Sequence, residues 1–191
     1  MQALIATCPI HLREAFLEAF YAVLKQTQEL PPGTSGDSRT ANKLLTEWET
    51  DNTTRSYRTD LVHLQTLILM AIETDSHGPA SVKGYHGGLT KGSFIGRALS
   101  LSYSMGLHTV KIDPTPGEGF DGDTEDKIAV RAWWSLVMLD RWNSIGAAIP
   151  TQIPLDATVI LPGLKYVTGD GPYALTRKSP HSSGAMQTSY S

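Results

Sequence analysis

The sequence predicts an all-α protein, an irregular helical bundle of about five helices followed by a disordered C-terminal tail. Three observations lead there. Apolar residues recur at helical spacing in five separate stretches. Segments rich in Pro, Gly, Asp and Ser divide those stretches. Strand and helix patterns never alternate in the way that builds a parallel sheet.

The first stretch runs from Pro9 to about Leu30, with Leu12, Phe16, Ala19, Phe20, Val23 and Leu24 on one face. Thr7 or Cys8 marks its start and Pro31-Pro32-Gly33 its end. Residues 31–40 read as a polar linker. A second helix begins near Ser38, carries Leu44, Leu45 and Trp48, and stops at Asp51-Asn52-Thr53-Thr54. The third, from Tyr57 to about Thr74, turns Leu61, Leu64, Ile68 and Ile72 inward, flanked by Leu67, Leu69, Met70 and Ala71. A helix apolar on nearly all sides belongs in the middle of a bundle.

After a Gly-rich loop, the fourth helix is capped by Thr90 and runs to about Met105. Phe94, Ile95, Ala98, Leu99 and Leu101 lie inside, and Gly106 follows as the C′ residue. Residues 109–123 form an acidic loop. The fifth helix spans about Thr124 to Ala148, capped by Asp123 or Thr124, with Glu125 and Asp126 at the positive end of its dipole. Pro150 and Pro154 hold the next residues extended, and Leu155 to Pro162 has room for a short edge strand at most. From Lys165 on, Ser, Gly, Thr and Pro dominate and no periodicity survives. The chain thus divides into a domain at 1–164 and a disordered tail at 165–191.

Composition narrows the function classes. Net charge is −3 and no run of Lys and Arg reaches three, so the chain lacks the basic face that duplex DNA requires. Cys8 is the single cysteine, which excludes an internal disulfide and a Cys-rich zinc site. The start carries no signal-peptide pattern. The most apolar stretch, Leu61 to Ile72, falls far short of the ~20 residues of a membrane span. A soluble, intracellular protein without membrane partners is expected.

Several motifs dissolve on inspection. Gly117-x-Gly119-x-x-Gly122 matches a dinucleotide fingerprint literally, but Pro114 and Pro116 precede it and Glu118, Asp121 and Asp123 repel phosphate. Asp121-x-Asp123-x-Glu125 begins like a calcium loop, yet Asp126 and Ala132 stand where Gly and Glu belong. No two histidines stand at i, i+3 or i, i+4, and Glu73, Asp75 and His77 fall at a helix end. Ser93 lacks a nucleophile elbow, and Cys8 has no base nearby in sequence. The sequon Asn52-Thr53-Thr54 matches by pattern only. No catalytic, cofactor-binding or metal-ligating residue is assigned, and the chain is read as not an enzyme.

The fifth helix stands apart. Trp133, Trp134 and Trp142, three of the four tryptophans, fall within ten residues, which marks this helix as the centre of the fold. As a core residue, Trp134 would lose about 3–5 kcal/mol on truncation to Ala. Asp140 and Arg141 sit among apolar residues, so each needs its own partner, since neighbours in a helix do not face each other. Asp140 is expected to accept from donors in Ala147–Ile153, unless the pair lies on a partly exposed face.

At these residues the chain resembles the fungal-specific transcription factor domain, the middle homology region of fungal zinc-cluster transcription factors. The resemblance rests on Met105-Gly106-Leu107-His108, an acidic loop, Arg131-Ala132-Trp133-Trp134 through Asp140-Arg141, and then Ile149-Pro150, Ile153-Pro154-Leu155-Asp156 and Leu161-Pro162. The Leu61–Ile72 helix resembles another of the family's helices, and the similarity covers roughly residues 10–164. Arg131, Trp133, Trp134, Asp140, Arg141 and Trp142 form its structural signature. The flavour is nearest to the subgroup that regulates sugar transport and carbohydrate use.

The resemblance implies a nuclear regulatory module that controls transcription through contacts with co-regulators or with other parts of a parent factor, and it allows for a dimer. DNA and zinc would be bound only through a zinc cluster, which is absent here. The chain also lacks sustained heptads and stops soon after Leu161-Pro162, which reads as a fragment, a truncated product or a degenerate copy. The alternative readings are a helical module that senses a nutrient metabolite, and a non-functional fragment of such a factor.

Overall fold

The structure, a computed structural model, describes residues 2–28, 34–51, 55–76, 90–109 and 124–154. Among them are six α-helices and no strand: α1 (Gln2–Ala6), α2 (Ile10–Leu24), α3 (Ser38–Thr50), α4 (Tyr57–Ser76), α5 (Lys91–Ser104) and α6 (Glu125–Ala147), with a 3-10 turn at Leu107–Thr109. The all-α class is as expected; the helix count is one higher. The Gly117–Gly122 loop, the sequon, His77 and everything from Leu155 on, including Leu161-Pro162 and the tail at 165–191, lie outside the described residues.

α4 is the axis of the bundle. Ser56 and Thr59 start it reciprocally: the Ser56 N–H donates to Thr59 Oγ1 at 2.8 Å, and the Thr59 N–H to Ser56 Oγ at 3.3 Å. Leu61, Val62, Leu64, Leu67 and Met70 are fully buried on several sides of the helix. Each such side chain contributes roughly 1.5–3 kcal/mol of transfer free energy. α4 packs against α1, α2, α3, α5 and α6, whereas α6 packs against α4, α5 and the 3-10 turn. The tryptophan-rich helix is therefore not the centre: aromatic content marked a large surface, while the all-round apolar pattern marked the helix that every other one needs.

Other boundaries moved for local reasons. Thr7 and Cys8 do not cap α2 but close α1, both side chains donating to the Leu4 carbonyl. Pro9 is the residue before α2 and makes no side-chain cap. Five residues are too few to show a period, so α1 is invisible to pattern reading; burial of Leu4 and Cys8 holds it to the core. α2 ends at Leu24, since Lys25 to Gln28 are exposed and offer the core nothing. Its inward face is made by Leu12, Ala15, Phe16, Ala19 and Ala22, while Phe20 is exposed and stacks on Phe16. Ile72 is likewise exposed, on the last turns of α4.

The end of the polar linker is a fitted part of the fold. Asp37 caps α3, accepting the Thr40 N–H at 2.9 Å. Lys25 Nζ donates to the Gly36 carbonyl at 3.0 Å, and the Asp37 N–H to Glu18 at 3.2 Å. These bonds press Gly36 against α2 so closely that a Cβ there would lie 2.7 Å from the Tyr21 carbonyl carbon and 2.8 Å from the Ala22 nitrogen. Backbone cannot yield as a side chain does. Gly36→Ala is expected to cost about 1–3 kcal/mol, read as a lower urea midpoint at unchanged slope.

Candidate functional site

All six signature residues, Arg131, Trp133, Trp134, Asp140, Arg141 and Trp142, lie on α6. Thr124 caps the helix by accepting the Lys127 N–H, and Glu125 pairs with Arg58 at 2.6 Å, fixing the start of α6 to the start of α4. One turn further on, Ile128 and Ala129 enter the core, and Arg131 lies half-buried.

Trp133 is buried where α6 crosses the end of α5. Gly106 ends α5 with φ of +71°, a conformation that favours glycine, and turns the chain into Leu107–Thr109. Leu107 then points into the core, while the His108 ring lies 5.0 Å from Tyr103 and 6.4 Å from Trp133. Tyr103 meets Trp133 edge-on at 5.8 Å. The Gly-Leu-His step and Trp133, 25 residues apart, are thus one aromatic contact. Trp134 is only partly buried at the edge of the core, and Trp142 is exposed.

Asp140 is 1% exposed. Its two oxygens accept the consecutive N–H groups of Gln152 and Ile153, both at 3.0 Å. Arg141 Nη1 donates to the Ile153 carbonyl at 2.8 Å and also lies 3.6 Å from Asp140 Oδ2, so the two side chains converge despite being neighbours on the helix. Convergence happens because both reach toward the same returning backbone, beyond the helix surface where neighbours diverge. Ile153 is fully buried by this clamp. Ala148, at φ of 53°, starts the return, and the Ser144 hydroxyl donates to the Ile149 carbonyl.

A second polar cluster, which the sequence reading did not assemble, joins α3, α4 and α5. Arg97 donates to Glu49 at 2.7 Å and to Asn42 at 3.0 Å. The same Glu49 oxygen lies 2.9 Å from Nε2 of the buried His63, out of line with the ring N–H. His63 meets Trp48 edge-on at 5.2 Å, and the Arg55 guanidinium lies 5.0 Å from the centre of the Trp48 ring. Burial pushes the Glu49 carboxyl up, but the close polar contact with His63, the hydrogen bond from Arg97 and the charges of both outweigh it and bring it from 4.5 down to about 2. The one available signal was His63, a lone imidazole in an apolar run, which needed a partner.

A carboxyl whose pKa is lower when folded stabilises the fold above its unfolded pKa, and that contribution fades as pH falls toward the folded value. Acidification from pH 4.5 to about 2 should therefore remove up to about 3 kcal/mol through Glu49. Urea titrations at pH 6 and pH 3 check it: Glu49→Gln should show the smaller loss between the two.

Cys8 and Ser93 are both bonded locally, to the carbonyls of Leu4 and Thr90. Burial raises the Cys8 thiol above its ordinary value, which disfavours the reactive thiolate. The Ser93 hydroxyl donates to the Thr90 carbonyl within the first turn of α5. Among the described residues no group of three His, Cys, Asp or Glu side chains converges on a metal position. A zinc cluster of the kind the resemblance implies does not fit these residues, which offer one cysteine. No helix of the described residues is long and apolar enough to cross a membrane.

The chain is 34% identical over 150 residues to an uncharacterised transcriptional regulatory protein of Schizosaccharomyces pombe, a match covering 76% of this chain. The chain spans only 17% of that relative's length. No family model matches, and no solved structure matches.

Proposed function

We propose that this chain is a regulatory, middle-homology region of a fungal zinc-cluster transcription factor. It acts in the nucleus, through contacts with other parts of such a factor or with co-regulators, and carries no DNA-binding motif of its own. The observation that carries this reading is the 34% identity to a transcriptional regulatory protein. The net charge of −3 and the lack of a basic run support contacts with protein over contacts with phosphates. The aromatic contact at His108 and Trp133 and the clamp at Asp140 and Arg141 supply a rigid scaffold for such contacts. Zinc and DNA enter only with a cysteine-rich segment that these 191 residues do not contain.

Two measurements test it. The isolated chain should give no sequence-specific shift of duplex DNA. Placed between a heterologous DNA-binding module and an activation segment, it should change reporter output several-fold, and Trp133→Ala should abolish the change. A specific gel shift by the chain alone, or a reporter indifferent to its presence, overturns the reading.

A further inference from the structure

Past Ala147 the chain turns back along α6 and is held there by very few groups. Ala148, at φ of 53° and ψ of 41°, reverses it and is the one non-glycine with positive φ among the described residues. An L residue in that conformation is strained. Ile149 to Gln152 and Pro154 are exposed, so Ile153 alone is buried between 149 and 154. Among the described residues, every hydrogen bond that reaches this stretch comes from Asp140, Arg141 or Ser144, little more than one turn of α6.

Three features make the stretch move as one piece. Pro150 and Pro154 fix their own φ and restrict Ile149 and Ile153 before them, so the chain between them has few ways to bend. The bonds to Asp140 and Arg141 all fall on Gln152 and Ile153, so they form and break together. Against α5 the fit is ordinary and not interlocked: a Cβ on Gly96 would stand 3.9 Å from Gln152 Oε1. Withdrawing the stretch takes one side chain, Ile153, from a core in which Leu61, Leu64, Leu67 and Leu136 stay buried.

We propose that residues 148–154 are a hinged strap, which turns about Ala148 and lifts Gln152 and Ile153 off Asp140 and Arg141 while α1 to α6 stay folded. The closed form dominates, because opening withdraws Ile153 from the core and two N–H groups from a carboxylate. The strain at Ala148 acts the other way, since the residue relaxes once the strap is free. The domain thus has a second state, in which a carboxylate, a guanidinium and the seat of one apolar side chain face water where α6 meets α5. This device is independent of any role in transcription.

Hydrogen exchange followed by NMR on the full chain, at a series of low urea concentrations, tests it. A local opening exposes little surface. Exchange at the Gln152 and Ile153 amides should therefore be about 10–100-fold faster than at Leu64 and Leu67 of α4 and nearly independent of urea, while the α4 amides respond steeply. Ala148→Gly should slow the two strap amides about threefold by relieving the strain. Asp140→Asn should speed them about tenfold, and both variants should keep the helical circular dichroism spectrum. A urea dependence at Gln152 and Ile153 equal to that of α4 would mean that the strap opens only when the bundle unfolds. Amides without protection would mean that it is not latched, and faster exchange in Ala148→Gly that no strain acts at the hinge. Each of these results overturns the proposal.

Discussion

Replacing Trp133 by alanine should lower the unfolding free energy by about 3–5 kcal/mol, the cost of a large buried side chain and the cavity it leaves. Three elements depend on that ring. It is buried on α6, meets Tyr103 of α5 edge-on, and lies beside His108 of the 3-10 turn. Gly106, at φ of +71°, fixes the turn that presents His108 to the ring. The neighbouring tryptophans set the scale. Trp142→Ala, at an exposed position, should cost under about 1 kcal/mol, and Trp134→Ala should fall between the two. Equilibrium denaturation of the three variants gives the ranking. A larger loss at Trp134 than at Trp133 would mean that Trp134, and not Trp133, carries the contact between α6 and α5.

Asp140→Ala should be of similar size, about 3–5 kcal/mol, for a different reason. The substitution creates little cavity. It strips two buried N–H groups, at Gln152 and Ile153, of their acceptors and leaves Arg141 beside a vacated partner. Asp140→Asn should be milder, about 1–3 kcal/mol, since one carbonyl oxygen still accepts while the amide nitrogen faces a donor. Equal losses for the two variants, measured by urea unfolding, would show that charge and not hydrogen bonding governs the site.

How much of this was legible in the sequence depended on the range of the interaction. α5 and α6 announced themselves, because Thr90, Gly106 and Thr124 act on residues within one turn of themselves. The Asp140 clamp was readable from a further principle: a carboxylate among Leu136, Val137 and Leu139 must have a partner, and the return segment was the nearest source of donors. α1 was lost because five residues carry no period. Phe20 and Ile72 were placed inside by counting apolar residues, when small alanines made the true contact face of α2. The Glu49–Arg97 pair spans 48 residues and its Asn42 partner 55, distances at which no spacing rule operates. Among the tryptophans, composition identified a large apolar surface without saying which part faced inward. Trp133 and Trp142 differ by nine residues, two and a half turns, and so stand on opposite sides of one helix.

The clamp at the end of α6 has a consequence for how the sequence can drift. Asp140 and Arg141 read only main-chain atoms of Gln152 and Ile153, never a side chain. The identity of residue 152 is therefore nearly free, with proline alone forbidden because it has no N–H to offer. Ile153 is held by a separate demand, its place in the core. Asp140, Arg141 and Ser144 thus hold the return through main-chain atoms, and residue 152 can change its letter while the segment keeps its path.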